Sequence, residues 1–432
     1  MRGFASRTTV ADALKWLDAQ TGRLGEEIVP LDQTAGRVLA GEIVSRVDVP
    51  SFDRSMMDGF ALRAADTMGA TPYNRLALEL VGESLPGRSF PGEVSPGKAV
   101  RIMTGAPLPQ GADAVLPAEL VEAERNRIFA QGEVSPGKHV GRVGEDITAG
   151  TTVLKAGRIL RPQDVGVLAS IGCGEVPVVR RPRVRVVVTG DELLPVGSQP
   201  QPHKIVDANG PMLAVLVERD GGVAVNPGIV PDRPEAILEA MRCGQGSGAS
   251  GQGSGVRGQG QSLSTIHYPP SIPSGADVVL VSGGSSVGQE DHAPALLREH
   301  GELPIHGLAM RPSSPTGMGR LDGRVVLLLP GNPVSCLCAY DFFAGRAIRL
   351  LGGRRADWPY RRVTRPLKRK IVSTVGRLDY VRVRLDAGHV DPLAITGASV
   401  LSSTTRADGF VLVPPDSEGY PPGVEVEVFL YD

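Results

Sequence analysis

Apolar positions along the chain follow three rhythms in turn. Near the start, Val10, Ala13, Leu14 and Leu17 recur at i, i+3, i+4 and i+7, the spacing of one helical face. Thr9 precedes the run and Asp12 stands three residues on, which predicts a capped amphipathic helix. EEIVPL at 26–31 reads as a strand, and a second helix is expected over 33–40 behind an Asp32 cap. From about 50 to 145 the rhythm shortens. RLALELVGES, KAVRIMTGAPLP, ADAVLP and NRIFAQGEV are brief apolar runs cut by Pro and Gly, the punctuation of a small all-β unit. GEVSPGK occurs there twice, at 92–98 and 132–138, and predicts two similar Pro-Gly corners rather than a phosphate loop.

Residues 146–182 return to a mixed pattern, with RPQDVGVLASIG as a helix and EVPVVRRPRV leading out as a strand. Over 183–353 the pattern alternates strand and helix, as a βαβ sheet does. Three strongly apolar strands each run into a tight loop: VRVVVTGDEL at 184–193, DVVLVSGGSSVGQED at 277–291 and RVVLLLPGNPVS at 324–335. Strands buried on both faces and ending this way belong to a parallel sheet, whose carboxyl edge is where ligand sites form. Between them, IVDANGPMLAVLVERDGG predicts a helix capped by Asn209, with Pro211 in its first turn and Met212, Val215 and Leu216 on one face. DRPEAILEAMR predicts another, opened by Asp232 with Glu235 at capping-box spacing. A third is expected over 294–300. Asn332 and Pro333 suit a helix start that turns the Val334 and Ser335 amides toward the preceding loop. Residues 243–262 are glycine-rich with Val256 as their one large apolar side chain, so a surface excursion without fixed structure is expected there. After Gly352 and Gly353, the segments DYVRVRLDAG, GFVLVPP and GVEVEVFLYD alternate with period two, predicting a small β barrel or sandwich.

Composition narrows the function. The 432 residues carry 46 basic and 47 acidic side chains, so no excess positive charge invites nucleic acid. Hydrophobic residues make up 41 % of the chain, yet no run approaches the roughly 18 apolar residues of a membrane span. MRGFASRTTVADALKWL has no apolar block ahead of a cleavage site, which predicts a mature cytoplasmic protein. Cys173, Cys243, Cys336 and Cys338 form no CxxC pair, so structural zinc and thiol redox chemistry are not expected.

The loops carry the chemistry. GGSSVG does not fit GxGxxG, which argues against a nicotinamide cofactor, and Ser286 near Asp291 and His292 lacks a GxSxG elbow. GGSSVGQED instead offers glycines and hydroxyls ahead of Glu290 and Asp291, suited to cradling an oxyanion beside a divalent cation. TGDEL adds Asp191 and Glu192 at another strand end. SFDRSMMDGFA at 51–61 is a loop of unusual side-chain density. RVGEDI adds Arg142, Glu145 and Asp146, where the arginine can meet a phosphate or pair with its own neighbouring carboxylates.

Taken together, PLDQTAGRVLA, VDVPSFDRSMMDGFA, RIMTGAPLPQGADAV, GEDITAG, TGDEL, IVDANG, SGGSSVGQEDH, LPGNPVS and GRLDY, in this order and spacing over nearly the whole length, resemble the molybdopterin molybdenumtransferase family, bacterial relatives of the gephyrin C-terminal region. The resemblance implies a multidomain α/β protein. A first domain comprises 1–50 and 146–182, a β-rich second domain 51–145, a molybdopterin-binding α/β domain 183–353 and a C-terminal β barrel 354–432. It implies an elongated homodimer in which adenylylated molybdopterin and molybdate meet between the third domain of one subunit and the first two of its partner. Magnesium-dependent release of AMP then leaves molybdenum on the dithiolene. The adenylyltransferase of the same pathway is a further expected partner, and neither nucleic acid nor membrane is.

Carried over by motif, Asp58, Asp146, Glu192, Asp232 and Asp291 are the expected catalytic acids, and Asp58, Glu192 and Asp291 the expected magnesium ligands. Thr104, Arg142, Gly283, Gly284, Ser285, Ser286, Gly288, Arg311, Ser314, Pro330, Gly331 and Asn332 are the expected binding set, with Thr104, the 283–288 backbone and Arg311 facing the oxyanion. Where many bacterial members read KPGKP, this chain has Arg311-Pro312-Ser313-Ser314-Pro315, so Ser314 removes the second cation. Two other readings are an ATP-consuming molybdopterin adenylyltransferase, which shares only the third-domain fold, and a gephyrin-like non-catalytic scaffold.

Overall fold

Strand pairing in register is the organising feature of a computed structural model of the chain, which describes residues 7–199, 201–242, 275–284, 291–394, 397 and 399–431. The 243–262 insertion and the predicted site residues Ser285, Ser286 and Gly288 lie outside the described residues. Two units emerge, one of 1–27 with 179–432 and one of 28–178.

In the larger unit a seven-stranded sheet runs in the order Val223–Val225, Arg183–Thr189, Val278–Ser282, Arg324–Leu329, Gly317–Leu321 and Glu302–His306, with Ile229–Val230 also on Arg183–Thr189. The first four are parallel and the last two antiparallel. Val186, Leu280 and Leu327 stand in register and face the core around Leu213, Val217 and Phe343, while Val187, Val281 and Leu328 face Ile237 and Leu297 on the other side. Burial on both faces explains the unbroken apolar runs.

Helices Asn209–Arg219, Pro234–Arg242 and His292–His300 cover the sheet, with Pro333–Ala339 continuing through a π-helical turn, Tyr340–Ala344, into Gly345–Leu351. The first helix, Val10–Gln20, has its predicted cap: Thr9 Oγ1 accepts the Asp12 N–H at 3.1 Å and donates to Asp12 Oδ2 at 2.7 Å. Three expectations need correction. No helix forms over 33–40; Leu31–Gln33 is one 3-10 turn, and Gly36, at φ 77°, turns its N–H to the Leu160 carbonyl so that Val38 and Leu39 bridge to Ile159 and Val178. Asn209 does not cap its helix. Ala208 stands at the N-cap, Asp207 before it accepts the Gly210 N–H at 2.9 Å, and the buried face is Leu213, Ala214 and Val217, with Val215 64 % exposed. Asp232 likewise binds the Thr189 hydroxyl at 3.2 Å in place of the expected cap contact.

The C-terminal strands Arg362–Pro366, Leu378–Asp386, His389–Ala394, Gly409–Val413 and Glu425–Leu430 pair antiparallel, and a Leu367–Val390 bridge joins the two ends into a barrel. Met310–Arg311 adds in parallel to Leu378–Asp379, tying the α/β part to the barrel. Their junction holds a buried polar cluster. Asp220 accepts from Arg349 at 2.7 Å, Arg219 at 2.9 Å and the Tyr340 hydroxyl at 3.0 Å. Arg219 also reaches Asp341, to which the Tyr360 hydroxyl donates at 2.9 Å, and Trp358 packs edge-on against Phe342, Phe410 and Phe429.

In the smaller unit a six-stranded sheet follows the order Ala114–Pro117, Gly59–Leu62, Lys98–Ile102, Leu76–Ser84, Arg127–Ala130 and Val121–Glu124. The two GEVSPGK copies form matching corners: the Lys98 N–H reaches Ser95 O and the Lys138 N–H reaches Ser135 O, each at 3.1 Å, with Gly97 and Gly137 at φ 75° and 79°. A second core joins Leu39 and Ile43 to Leu160, Leu168 and Val178, from segments flanking the sheet. Among the described residues no helix is long and apolar enough to cross a membrane.

The polar cluster makes a stability prediction. Asp220 is 1 % exposed, and replacing it with Ala leaves the Arg349 guanidinium buried and uncompensated. Asp220→Ala is expected to lower unfolding free energy by about 3–5 kcal/mol, read by urea denaturation of the full chain; a loss below about 1 kcal/mol would contradict this role.

Candidate active site

Parallel register brings three loops to one edge. Val188 pairs with Ser282 and Ser282 with Leu329, so Thr189, Gly283 and Pro330 leave the sheet at the same level. Gly283, at φ 102°, sits where a side-chain carbon would collide with the Thr189 carbonyl oxygen, so the two loops can approach only with glycine there. Asn209 ties the others together. Its Nδ2 donates to Ser282 Oγ at 2.9 Å and to the Gly331 carbonyl at 2.7 Å.

These loops enclose a cavity of about 490 Å³. Of the predicted residues, Glu192, Asp291, Gly283, Gly284, Pro330, Gly331 and Asn332 line it. Asp232 adjoins it through the Thr189 hydroxyl, and its own N–H reaches Asp191 Oδ1 at 3.2 Å. The Arg311 guanidinium donates at 2.8 Å to Asp379, a buried carboxylate that Arg377 and Ser373 also contact. The Ser314 hydroxyl donates to Leu308 O at 3.1 Å, while its neighbour Pro315 reaches the cavity. Buried Cys336 lies behind the lining with its thiol pushed up to about 12 by desolvation, as a core residue should be.

Sequence reasoning missed Thr189, Asp207 and Asn209. All three line the cavity. The signal was present in IVDANG, but a helix-cap reading of Asn209 absorbed it.

Asp58, Thr104, Asp146 and Arg142 belong to the smaller unit. Asp58 precedes the strand Gly59–Leu62, and its Oδ1 accepts both the Thr104 N–H and the Thr104 hydroxyl at 2.7 Å. The backbone bond, then the hydroxyl, then the charge of Arg101 hold this carboxyl below its ordinary range. With Arg101 and Arg125 it lines a separate cavity of about 480 Å³. The Arg142 guanidinium pairs with Asp53 at 2.7 Å rather than with Glu145 or Asp146 beside it, while the Val143 N–H holds the other Asp53 oxygen at 2.9 Å. Asp146 is exposed, and its N–H closes onto the Val49 carbonyl at 3.0 Å.

Among the described residues, no three His, Cys, Asp or Glu side chains gather into a closed metal site. Glu192 and Asp291, two hard oxygen donors in one open cavity, still fit a magnesium ion, which keeps waters and takes most of its remaining ligands from substrate phosphates.

Similarity to known proteins extends over nearly the whole chain. Residues 8–172 match the MoeA N-terminal region (domains I and II), 185–249 and 271–349 a probable molybdopterin-binding domain, and 364–431 the MoeA C-terminal region (domain IV). Molybdopterin molybdenumtransferase 2 of Mycobacterium tuberculosis H37Rv is 34 % identical over 411 residues, covering 93 % of this chain and 94 % of that one. Molybdopterin molybdenumtransferase of Haemophilus influenzae is 30 % identical over 411 residues, covering 93 % of each. A crystal structure of the molybdopterin biosynthesis MoeA protein from Pyrococcus horikoshii OT3 has a TM-score of 0.74 at 31 % identity, covering 99 % of this chain and 100 % of that one.

The Asp58 geometry is directly testable. Thr104→Val removes the hydroxyl bond and keeps the backbone one. A carboxyl held low in the folded chain stays ionised as pH falls, so losing one donor should move its midpoint up toward the ordinary Asp value near 3.9. Carboxyl-carbon NMR of the aspartate-labelled full chain reads this; an unchanged or lower midpoint would contradict the contact.

Proposed function

The chain belongs to the molybdopterin molybdenumtransferase family, and on that footing we infer that it is a transferase inserting molybdenum into molybdopterin in molybdenum cofactor biosynthesis. In the finer reading, adenylylated molybdopterin and molybdate are substrates, AMP departs, and molybdenum stays on the two dithiolene sulfurs. The observation that carries this is the strand-edge cavity, where Glu192 and Asp291 face loops able to approach phosphate.

The residues divide the work. Glu192 and Asp291 would hold magnesium, which when bound supplies Lewis-acid neutralisation of the phosphoanhydride oxygens. Gly283, Gly284 and Gly331 let backbone come close to the substrate where a side chain would stand. Asp232 steadies the Thr189 hydroxyl at the cavity wall. The Asn332–Pro333 helix start turns amides toward the same loop. Asp58 and Thr104 are assigned to the same reaction from the smaller unit, and Arg101 and Arg125 give that cavity cationic donors for an oxyanion. Arg311 is assigned to holding Asp379, so the KPGKP departure bears on the join between the α/β part and the barrel.

Homodimerisation, contact with the pathway's adenylyltransferase and a cytoplasmic location complete this reading, supported by the sequence resemblance. An ATP-consuming adenylyltransferase is not favoured, since molybdenumtransferases match 93 % or more of the chain, β-rich unit and barrel included. A purely non-catalytic scaffold does not call for the Glu192 and Asp291 carboxylates to line one cavity.

Pure protein given adenylylated molybdopterin, molybdate and magnesium is expected to release AMP. Chelation should stop release, and Glu192→Gln or Asp291→Asn should slow it about 100-fold or more. ATP consumption with pyrophosphate release and no AMP from the adenylylated substrate would overturn the reading.

A further inference from the structure

The turn 312–316 connects the strands Met310–Arg311 and Gly317–Leu321 and supplies Pro315 to the wall of the strand-edge cavity. Within it, Ser313 has φ 84° and is 2 % exposed. Arg125, His203, Asp322 and Ala387 share that left-handed conformation, but on exposed turns. An L residue in this region is strained and a glycine is not, so what serine adds at a buried position of this kind is its side chain. That side chain is engaged. Ser313 Oγ donates to the Ser335 carbonyl at 2.5 Å and contacts the buried Cys338 thiol, both on the helix Pro333–Ala339. Asn332 and Pro333, which open that helix, line the same cavity as Pro315. The rest of the turn is fastened to its own flanks: the Ser314 hydroxyl donates to Leu308 O at 3.1 Å, the Leu308 N–H to Ser314 O at 2.8 Å and the Thr316 hydroxyl to Ser313 O at 2.8 Å. The Ser313 hydroxyl thus joins two parts of the cavity wall that come from different segments.

Stability alone does not account for this serine. The net gain from one hydrogen bond and the strain of a left-handed non-glycine residue are of similar size and opposite sign, so glycine would serve the fold about as well. Nor does the turn bring the cavity a charge of its own, since 312–316 reads Pro-Ser-Ser-Pro-Thr and the preceding Arg311 is engaged by Asp379. The turn acts on the cavity through its position. Resting on the functional reading above, we propose that Ser313 is a positioning residue for molybdenum transfer: its bond to Ser335 holds the Pro315 wall at a fixed separation from Asn332 and Pro333, so that the substrate is aligned with the Glu192 and Asp291 carboxylates.

Ser313→Gly and Ser313→Ala separate the hydroxyl from the backbone. Both lose the bond to Ser335, but glycine relieves the strain and alanine keeps it. The melting temperature should therefore hold or rise in Ser313→Gly and fall in Ser313→Ala. Steady-state AMP release by the full chain, given adenylylated molybdopterin, molybdate and magnesium at a temperature where each variant is folded, should instead show kcat lowered about tenfold or more in both. A residue that only supports the fold would make kcat follow the melting temperature. If Ser313→Ala does not fold, Ser313→Gly decides alone. Wild-type kcat in either variant, or a loss in Ser313→Gly that comes with a lowered melting temperature, overturns the proposal, while AMP release by the wild-type chain keeps the functional reading intact. Wild-type protein that releases no AMP overturns that reading, and the proposal with it.

Discussion

Everything at the candidate site depends on parallel strands kept in register. Because Val188, Ser282 and Leu329 share one level, three loops distant in sequence must leave the sheet side by side, and a one-residue slip would turn their inward side chains to the opposite face. The apolar sets on the two faces enforce this register from both sides at once. Gly283 then allows contact with the Thr189 backbone, and Asn209 ties the second and third loops together.

Rigid support comes from behind. The helix starting at Pro333 runs through Tyr340 and Asp341 into the polar cluster with Arg219, Asp220 and Arg349, and the Trp358 contacts carry that packing into the barrel. Asp379 adds a second tie, holding Arg311 from the α/β part and Arg377 and Ser373 from the barrel. Charges buried this way stabilise little in net terms, yet removing one partner is expensive. They therefore define how the barrel seats against the α/β part more than how firmly the chain is folded.

The sequence was most legible where local chemistry and burial agree. The strands Arg183–Thr189, Val278–Ser282 and Arg324–Leu329, the Thr9 cap and the paired GEVSPGK corners all follow from periodicity or turn residues, and the structure carries them as read. Legibility failed where a polar residue serves a distant partner. Asn209 and Asp232 look like caps from their neighbours alone, but Ser282, Gly331 and Thr189 claim them instead. Arg311 was expected to face the oxyanion, and its Asp379 partner, 68 positions away, is not visible from the surrounding sequence. The 33–40 segment has helical spacing, but Gly36 adopts a left-handed conformation and pairing with Ile159 and Val178 outweighs propensity. Asp207 was hidden for the converse reason, being read only as part of a motif.

Amide hydrogen exchange of the full chain, with and without adenylylated molybdopterin, tests most directly the claim that the in-register strand ends form the substrate site. The account predicts that ligand slows exchange in the larger unit at 189–194, 205–210, 282–284 and 330–335, and leaves the sheet's opposite edge, where Arg183 and Arg324 begin their strands, unchanged. Saturating ligand that protects other segments while these four exchange at their unliganded rates would contradict it.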